Sequence, residues 1–293
     1  MSEHPLVSVV TASYNMEQYV CTAVDSVLGQ DCPNLEIIVV NDGSTDDTRA
    51  SLAKYDDDDR VTIIHQQNMG QTVAKNRGLA ASRGEYVGFC DADNLWLPGK
   101  LAHQVPLLMS QPEVGVVYGN IALIDGEGKP LPPLKTKRYS GRITAKLLVN
   151  NFVTFNTALV PRRLLEKVGG FDEDLRMAID YDLWLRISLE HEFLYLDQPL
   201  VEYRIWGGQM SHRTGERLEN AFRMMKKFLA QNPGAVTPVQ ARRAWAYTLT
   251  TRGLWHSREG RPSDAMFDYQ AAITKNPFDS RAWKSLTRLI LGM

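Results

Sequence analysis

Leu35-Glu36-Ile37-Ile38-Val39-Val40-Asn41-Asp42-Gly43-Ser44-Thr45-Asp46-Asp47-Thr48 decides the fold. Ile37 to Val40 are apolar without alternation, the pattern of a strand covered on both faces, as in a parallel sheet sandwiched between helices. The run then stops at polar residues. Gly43 supplies a tight turn, and Ser44 or Thr45 can cap a following helix. A capped turn is the plainer reading; the richer one makes Asp42, a carboxylate at a strand's carboxyl end, an acceptor of hydrogen bonds from a nucleobase or ribose.

Outward from this stretch the same pattern repeats. Leu6–Ala12 is a second Val-rich run, and between the two Tyr19, Val20, Ala23, Val24, Val27 and Leu28 fall at helical spacing, with Gly29 placed to close the helix. A strand over Val61–His65, a helix over Thr72–Ser82 and a strand over Tyr86–Cys90 follow. Such alternation predicts a doubly wound α/β sheet with right-handed crossovers, whose ligands gather beyond the carboxyl ends of the strands. Polar residues stand there: Thr11, Tyr14 and Asn15 after the first strand, Asn41 and Asp42 after the second, Asp91 and Asp93 after the fourth.

From Val114 to Val201 shorter strands at Val114–Tyr118, Asn156–Val160 and Leu200–Ile205, with a helix near Asp182–Glu190, are expected to complete the sheet and form one wall of the cleft. Past about Gly215 the pattern is helical throughout, over Phe222–Leu229, Ala241–Trp255, Ala265–Ile273 and Ala282–Leu291. Gly253, Gly260, Ala265, Tyr269, Ala272 and Pro277 fall at the spacing of one tetratricopeptide unit, and Trp283 with Leu286 opens a second. A helical hairpin packed on the α/β body is the plainer reading of this tail; a partner-binding repeat is the other.

Two carboxylates separated by one small residue, Asp91-Ala92-Asp93, can point the same way from a turning strand end. That arrangement suits a hard divalent cation and the phosphates it would neutralise. The run Asp56-Asp57-Asp58-Asp59 carries no such expectation, because like charges repel and a solvated loop accounts for it.

Across 293 residues, 33 Lys+Arg oppose 34 Asp+Glu, so the formal charge is −1. This balance excludes a strongly basic nucleic-acid or anionic-membrane surface as the global device for choosing partners. A hydrophobic content of 44% with 23% charged residues is that of a globular chain, and length suggests about two folding units. Cys21, Cys32 and Cys90 cannot all pair and make no closely spaced metal pair, so they read as reduced core thiols in a cytosolic setting. The first ten residues lack the pattern of a signal peptide, and nothing approaches about 18 consecutive apolar residues. The expectation is a cytoplasmic protein without a membrane span, with a peripheral contact at the inner face of the membrane left open.

Taken in order, Val7-Ser8-Val9-Val10 through Tyr14-Asn15, Ser26-Val27-Leu28-Gly29-Gln30, Glu36 to Asp46, Asn68-Met69-Gly70, Ala74-Lys75-Asn76-Arg77-Gly78 and Asp91-Ala92-Asp93 resemble family 2 glycosyltransferases. The match runs from about Pro5 to His212. The resemblance implies a GT-A fold, a mixed doubly wound sheet with a Rossmann-like nucleotide-binding half (about 1–118) and an acceptor half (119–212), followed by a helical extension over 213–293. It implies a nucleotide-sugar donor, commonly UDP-linked, and a divalent metal, Mg2+ or Mn2+. Thr11, Tyr14, Asn15 and Asp42 match the positions around base and ribose, with Gly70, Lys75 and Ala92 in the donor motifs. Asp91 matches the ribose-side carboxylate and Asp93 the metal ligand.

Met177-Ala178-Ile179-Asp180-Tyr181-Asp182-Leu183-Trp184-Leu185-Arg186 resembles the family's acidic acceptor motif, which implies that Asp180 is the general base; the plainer reading of Asp180, just ahead of an apolar helix, is an N-cap. An inverting displacement needs one such base within reach of the acceptor hydroxyl, opposite the departing diphosphate. Trp184 follows closely enough to line the acceptor site, or else anchors the core. Three positions depart from the family. Lys75 stands where Arg is usual, Ile179 where Glu is usual, and Trp206 where a His often stands, so that metal role is either lost or passed to His212, which otherwise reads as a surface residue. The function so implied is inverting, metal-dependent sugar transfer to a hydroxyl of a glycan or lipid-linked acceptor, in polysaccharide, lipopolysaccharide or protein-glycan synthesis. The alternative is a catalytically weakened nucleotide-sugar or glycan-binding module whose tail recruits a protein partner; a sugar nucleotidyltransferase is disfavoured because no Gly-rich triphosphate loop lies near the N-terminus.

Overall fold

A computed structural model describes residues 4–209 and 213–292. In chain order the elements are β1 (Val7–Ser13), α1 (Val20–Leu28), β2 (Leu35–Asp42), α2 (Thr48–Leu52), β3 (Val61–Gln66), α3 (Gln71–Ala81), β4 (Tyr86–Phe89), β5 (Leu95–Trp96), α4 (Lys100–Ser110), β6 (Val114–Asp125), β7 (Pro130–Leu131), α5 (Thr144–Val149), β8 (Leu159–Pro161), α6 (Arg162–Val168), α7 (Ile179–Ser188), β9 (Glu192–Ile205), α8 (Thr214–Gln231), α9 (Pro238–Arg258), α10 (Pro262–Lys275) and α11 (Ser280–Ile290). By contact the chain falls into two units, one of residues 1–142 and 152–209, the other of 143–151 and 210–293.

In the first unit the sheet order is β3-β2-β1-β4-β8-β6-β9-β5, with β7 beside β6. β3, β2, β1 and β4 are mutually parallel; β8 joins β4 antiparallel, and β9 runs parallel to β6. This is the mixed sheet that the family resemblance implies. The unbroken apolar run of β2 is buried along its whole length, and alternate residues serve opposite faces. Ile37 and Val39 share a core with Val20, Ala23, Val24 and Val27 of α1, whereas Ile38 and Val40 pack with Ala74 of α3. Each such side chain contributes about 1.5–3 kcal/mol by leaving water.

Register brings the polar ends together. Ser13 lies beside Asn41, Asp42 beside Gln66, and Val10 beside Phe89, so the segments after β1, β2 and β4 emerge at one edge of the sheet. The acidic run Asp56–Asp59 lies in the turn before β3.

The second half of this unit is less legible in sequence. β6 and β9 run 12 and 14 residues, far beyond the short strands expected. Their ladder shifts register around Gly119 and Asn120, which breaks the apolar pattern midway. The sequence assigns no element to α4 because Pro106 interrupts it; Gly99, in the left-handed region at φ 79°, opens that helix.

The second unit is helical. α9 begins with Pro238 and a capping box in which Thr237 and Gln240 bond each other's backbone. A Cβ at Gly253 would meet the Tyr269 ring at 2.6 Å, so this glycine lets α10 lie close on α9. Arg252 clamps the fully buried Asp268 at 2.5 and 2.8 Å. All three cysteines are free, Cys90 buried and the other two half-buried. Among the described residues no helix is long and apolar enough to cross a membrane.

Candidate active site

Two loops at the carboxyl edge are laced together by side chains. Asn15, itself in the left-handed region at φ 53°, accepts from the Thr45 backbone N–H at 2.8 Å and donates its own N–H to Ser44 Oγ at 2.9 Å. Tyr14 beside it is 44% exposed. Thr11 is fully buried, and its hydroxyl has no partner among the described residues. It therefore offers no accessible atom in this conformation, whereas Tyr14 and Asn15 do.

Asp42 is buried and already occupied. Its Oδ1 accepts from Gln66 Nε2 at 2.7 Å and the Met69 N–H at 2.8 Å, and its Oδ2 from the Gly70 N–H at 2.9 Å. The carboxylate thus orders the turn that opens α3, where Gly70 takes φ 90°. A Cβ on Gly43, itself at φ 72°, would sit 2.5 Å from the Asn68 nitrogen, so only glycine fits there.

The two aspartates after β4 have different surroundings. Asp91 Oδ1 pairs with Lys75 Nζ at 2.9 Å, and Asn156 brackets the residue, donating to Oδ2 at 2.8 Å and accepting the backbone N–H at 2.5 Å. Lys75 is buried, with its ammonium 4.3 Å from the centre of the Phe155 ring. That lysine neutralises one of the two carboxylates. Ala92 between them is buried.

Asp93 accepts from Asn94 Nδ2 at 2.8 Å, Trp206 Nε1 at 2.9 Å and Gln209 Nε2 at 3.5 Å, while Arg204 Nε donates to its backbone carbonyl at 3.0 Å. Burial and the neighbouring Asp91 charge hold its carboxyl above the ordinary value, although the Trp206 and Gln209 hydrogen bonds pull it down. Among the described residues no Lys, Arg or His pairs with this carboxylate. A divalent cation fits such a group: it takes oxygen ligands, and it would relieve the excess negative charge. Trp206, being a donor only, can brace the carboxylate and cannot coordinate metal. Its ring is held edge-on against Tyr19, 5.4 Å between centres. No cluster of three His, Cys, Asp or Glu side chains converges among the described residues, and His212 lies outside them.

α3 connects this pair to the acceptor motif. From its first turn Gln71 Nε2 donates to the Arg176 carbonyl at 2.8 Å and Thr72 Oγ1 to the Leu175 carbonyl at 2.7 Å. One turn on, Asn76 both donates to and accepts from the Phe171 backbone at 2.9 Å. The segment leading to Asp180 is thus fastened to the helix whose Lys75 holds Asp91. Ala178 then takes the left-handed conformation, φ 59°, to start α7, placing the half-buried Asp180 in its first turn.

The nearby carboxylate Asp182 is spent elsewhere. It is buried and pairs with Arg186 at 2.7 Å, while Arg186 also binds the Val168 and Gly170 carbonyls. Trp184 is corrected from acceptor platform to core anchor: it is fully buried, its ring 6.2 Å from Phe155 and 6.3 Å from Phe193. Its position on the inner face of α7 leaves no surface for a sugar. Asn156, Arg204 and Gln209 were missed by sequence reading. Each comes from 65 to 116 residues away; Arg204 and Gln209 flank Trp206 in the stretch that resembles the family, where they are not singled out, and Asn156 carries no motif signal.

A mixed sheet of this order, with the aspartate pair at its carboxyl edge, is the GT-A fold of glycosyltransferases. The chain superimposes on S. aureus TarS in complex with UDP-GlcNAc with a TM-score of 0.71 at 18% identity, covering 98% of this chain and 92% of that one. It also matches the mannosyltransferase PcManGT of Pyrobaculum calidifontis, in complex with GDP-Man and Mn2+, with a TM-score of 0.67 at 22% identity over 99% and 81% of the chains. The sequence profile described as Glycosyl transferase family 2 matches residues 8–169. An uncharacterised glycosyltransferase of Rickettsia prowazekii is 32% identical, over 77% of this chain and 72% of its own. A Bacillus subtilis protein named for teichuronic acid biosynthesis, TuaG, is 31% identical over 71% and 82%. The chain belongs to glycosyl transferase family 2 and is a glycosyltransferase.

Proposed function

We propose that the chain transfers a sugar, with inversion, from a UDP-linked donor to a hydroxyl of a glycan or lipid-linked acceptor in polysaccharide or lipopolysaccharide synthesis. The observation that carries this reading is the bridging role of α3. One helix holds Asp91 through Lys75 and, through Gln71 and Thr72, the backbone that delivers Asp180. Donor-side and acceptor-side carboxylates are thereby referenced to a common rigid element, as bond formation within a fraction of an ångström requires.

In this reading Tyr14, Asn15 and the Asp42-ordered turn at Gly70 receive the nucleotide, and Asp91 lies at the ribose. Asp93, with His212 as the second candidate, would hold Mg2+ or Mn2+. When bound, that cation supplies charge neutralisation for the diphosphate. Asp180 accepts the acceptor hydroxyl's proton as the oxygen attacks the anomeric carbon, and the carbon–oxygen bond to the diphosphate breaks on the opposite face. The tail is read as one tetratricopeptide-like helix pair, α9 and α10, supported by the close approach of Tyr269 to Gly253; recruitment of a protein partner through it belongs to the same proposal.

Asp180→Asn tests the assignment. The variant is expected to keep its nucleotide-sugar affinity, read as an unchanged ligand-induced rise in melting temperature, while transfer falls by at least about a hundredfold. Turnover at the parent rate removes Asp180 from the mechanism. A parent protein that binds donor but transfers to no acceptor in a broad panel supports the weakened binding module, the reading that the Trp206–Asp93 hydrogen bond favours.

A further inference from the structure

The near-zero charge of the whole chain conceals a division. Residues 1–212 hold 19 Lys/Arg against 28 Asp/Glu, a formal −9, whereas residues 213–293 hold 14 against 6, a formal +8. The helical unit is therefore strongly basic. It also exposes large apolar side chains on its last helix and the turn before it: Phe278 is 94% exposed, Ile290 65% and Trp283 49%.

α11 explains how both features coexist. Ala282 faces inward and is fully buried, with Leu286 and Leu289 half-buried on the same side. Trp283 and Ile290, seven residues and two turns apart, form an outward stripe beside that packed face. Lys284 and Arg288, four residues apart, form a second, exposed stripe. No acidic residue lies between Ser280 and Gly292. Trp283 Nε1 donates to the Pro277 carbonyl at 2.8 Å, which fixes the turn that presents Phe278. Burying an aromatic ring of this size is worth about 1.5–3 kcal/mol, so a free-standing monomer gains nothing by holding three such residues in water.

We infer that this unit docks on an anionic phospholipid bilayer through α11 and the Phe278 turn. Phe278, Trp283 and Ile290 enter the interfacial zone between headgroups and acyl chains, while Lys284 and Arg288 pair with lipid phosphates. A nucleic acid would satisfy the charge and leave the apolar stripe in water. An acidic lipid surface satisfies both. The inference rests on the charge and exposure of the second unit, independently of the donor and metal assignments.

Flotation of the full chain with vesicles tests it. Vesicles of phosphatidylcholine containing about a third phosphatidylglycerol are expected to carry the protein at low salt, pure phosphatidylcholine vesicles to carry little, and binding to fall as screening increases toward about 0.5 M salt. With about 1 kcal/mol per basic residue, Lys284→Ala with Arg288→Ala should weaken binding about thirtyfold. Phe278→Ser with Ile290→Ser should weaken it at least as much, without changing the salt dependence of what remains. All four side chains are exposed, and an unchanged circular-dichroism melt, together with an unchanged donor-induced shift, verifies that each variant is folded. Absence of flotation with anionic vesicles at low salt overturns the inference. So does flotation that both double variants retain, retention on duplex DNA without vesicle binding, or concentration-dependent self-association that the Phe278 variant abolishes while the parent ignores vesicles.

Discussion

Asp91 and Asp93 stand two residues apart, yet among the described residues only Asp91 is paired with a cationic side chain. Replacing Lys75 by Met keeps the stem's packing against Phe155 and removes the charge. With Lys75 buried and Asp91 partly so, the unpaired carboxylate should cost about 3 kcal/mol in urea unfolding, the lower end for breaking a buried pair. Donor affinity should fall as well, because Asp91 is then held by Asn156 alone and faces Asp93 without compensation. Unchanged stability together with unchanged donor binding would show that Lys75 plays no part in ordering the pair. At this scale the sequence displays Asp91, Lys75 and Asp93 through their motifs. It hides Asn156, because a bracket made by one side chain 65 residues further along the chain has no local pattern.

Elements carry the site through two close packings. Gly78 of α3 lies so near β1 that a Cβ would fall 2.4 Å from Val10 Cγ1. Gly78→Ala gains about 1 kcal/mol of helix propensity, but overpacking a rigid core costs about 1–3 kcal/mol. The expected result is a lowered melting temperature with weakened donor binding, since α3 must lift and carry Lys75 with it. An increase in melting temperature would mean that Val10 yields easily.

Lys100 of α4 is the second case. It is fully buried, its ammonium 3.9 Å from the centre of the Trp96 ring and bonded to Gln104 Oε1 at 2.6 Å. Burial pushes its pKa down to about 7. Between pH 7 and about 10.4 the unfolded chain therefore holds a proton that the native state has released. Stability should rise across that window by about 1.4 kcal/mol per pH unit from this group, and Lys100→Met should flatten the rise. Equal slopes in parent and variant would place Lys100's proton in both states.

The molecule as a whole consists of two units with separate cores. In the helical unit, Asp268 is 1% exposed and held by Arg252. Asp268→Ala leaves that guanidinium without its partner and should cost about 3 kcal/mol or more. Calorimetry is expected to show the loss in one transition, while the transition raised by nucleotide-sugar keeps its position. A shift of both by the same amount would mean that the units unfold as one. The overall charge of −1 shows how a whole-chain sum misleads at this scale, since it averages an acidic unit with a basic one.

Sequence by itself determined the parallel half of the sheet, the carboxyl-edge polar residues, the Asp91-Ala92-Asp93 pair and the helical tail. All of these are local: a doubly buried strand must read as an unbroken apolar run, and its polar stop must follow directly. Tertiary structure alone decided that Trp184 lies in the core, that Trp206 braces Asp93, that β6 and β9 run long through a bulge, and that α3 fastens the Asp180 segment. Those outcomes depend on which distant side chains meet and which face of a helix turns inward, and periodicity along the chain carries no record of either.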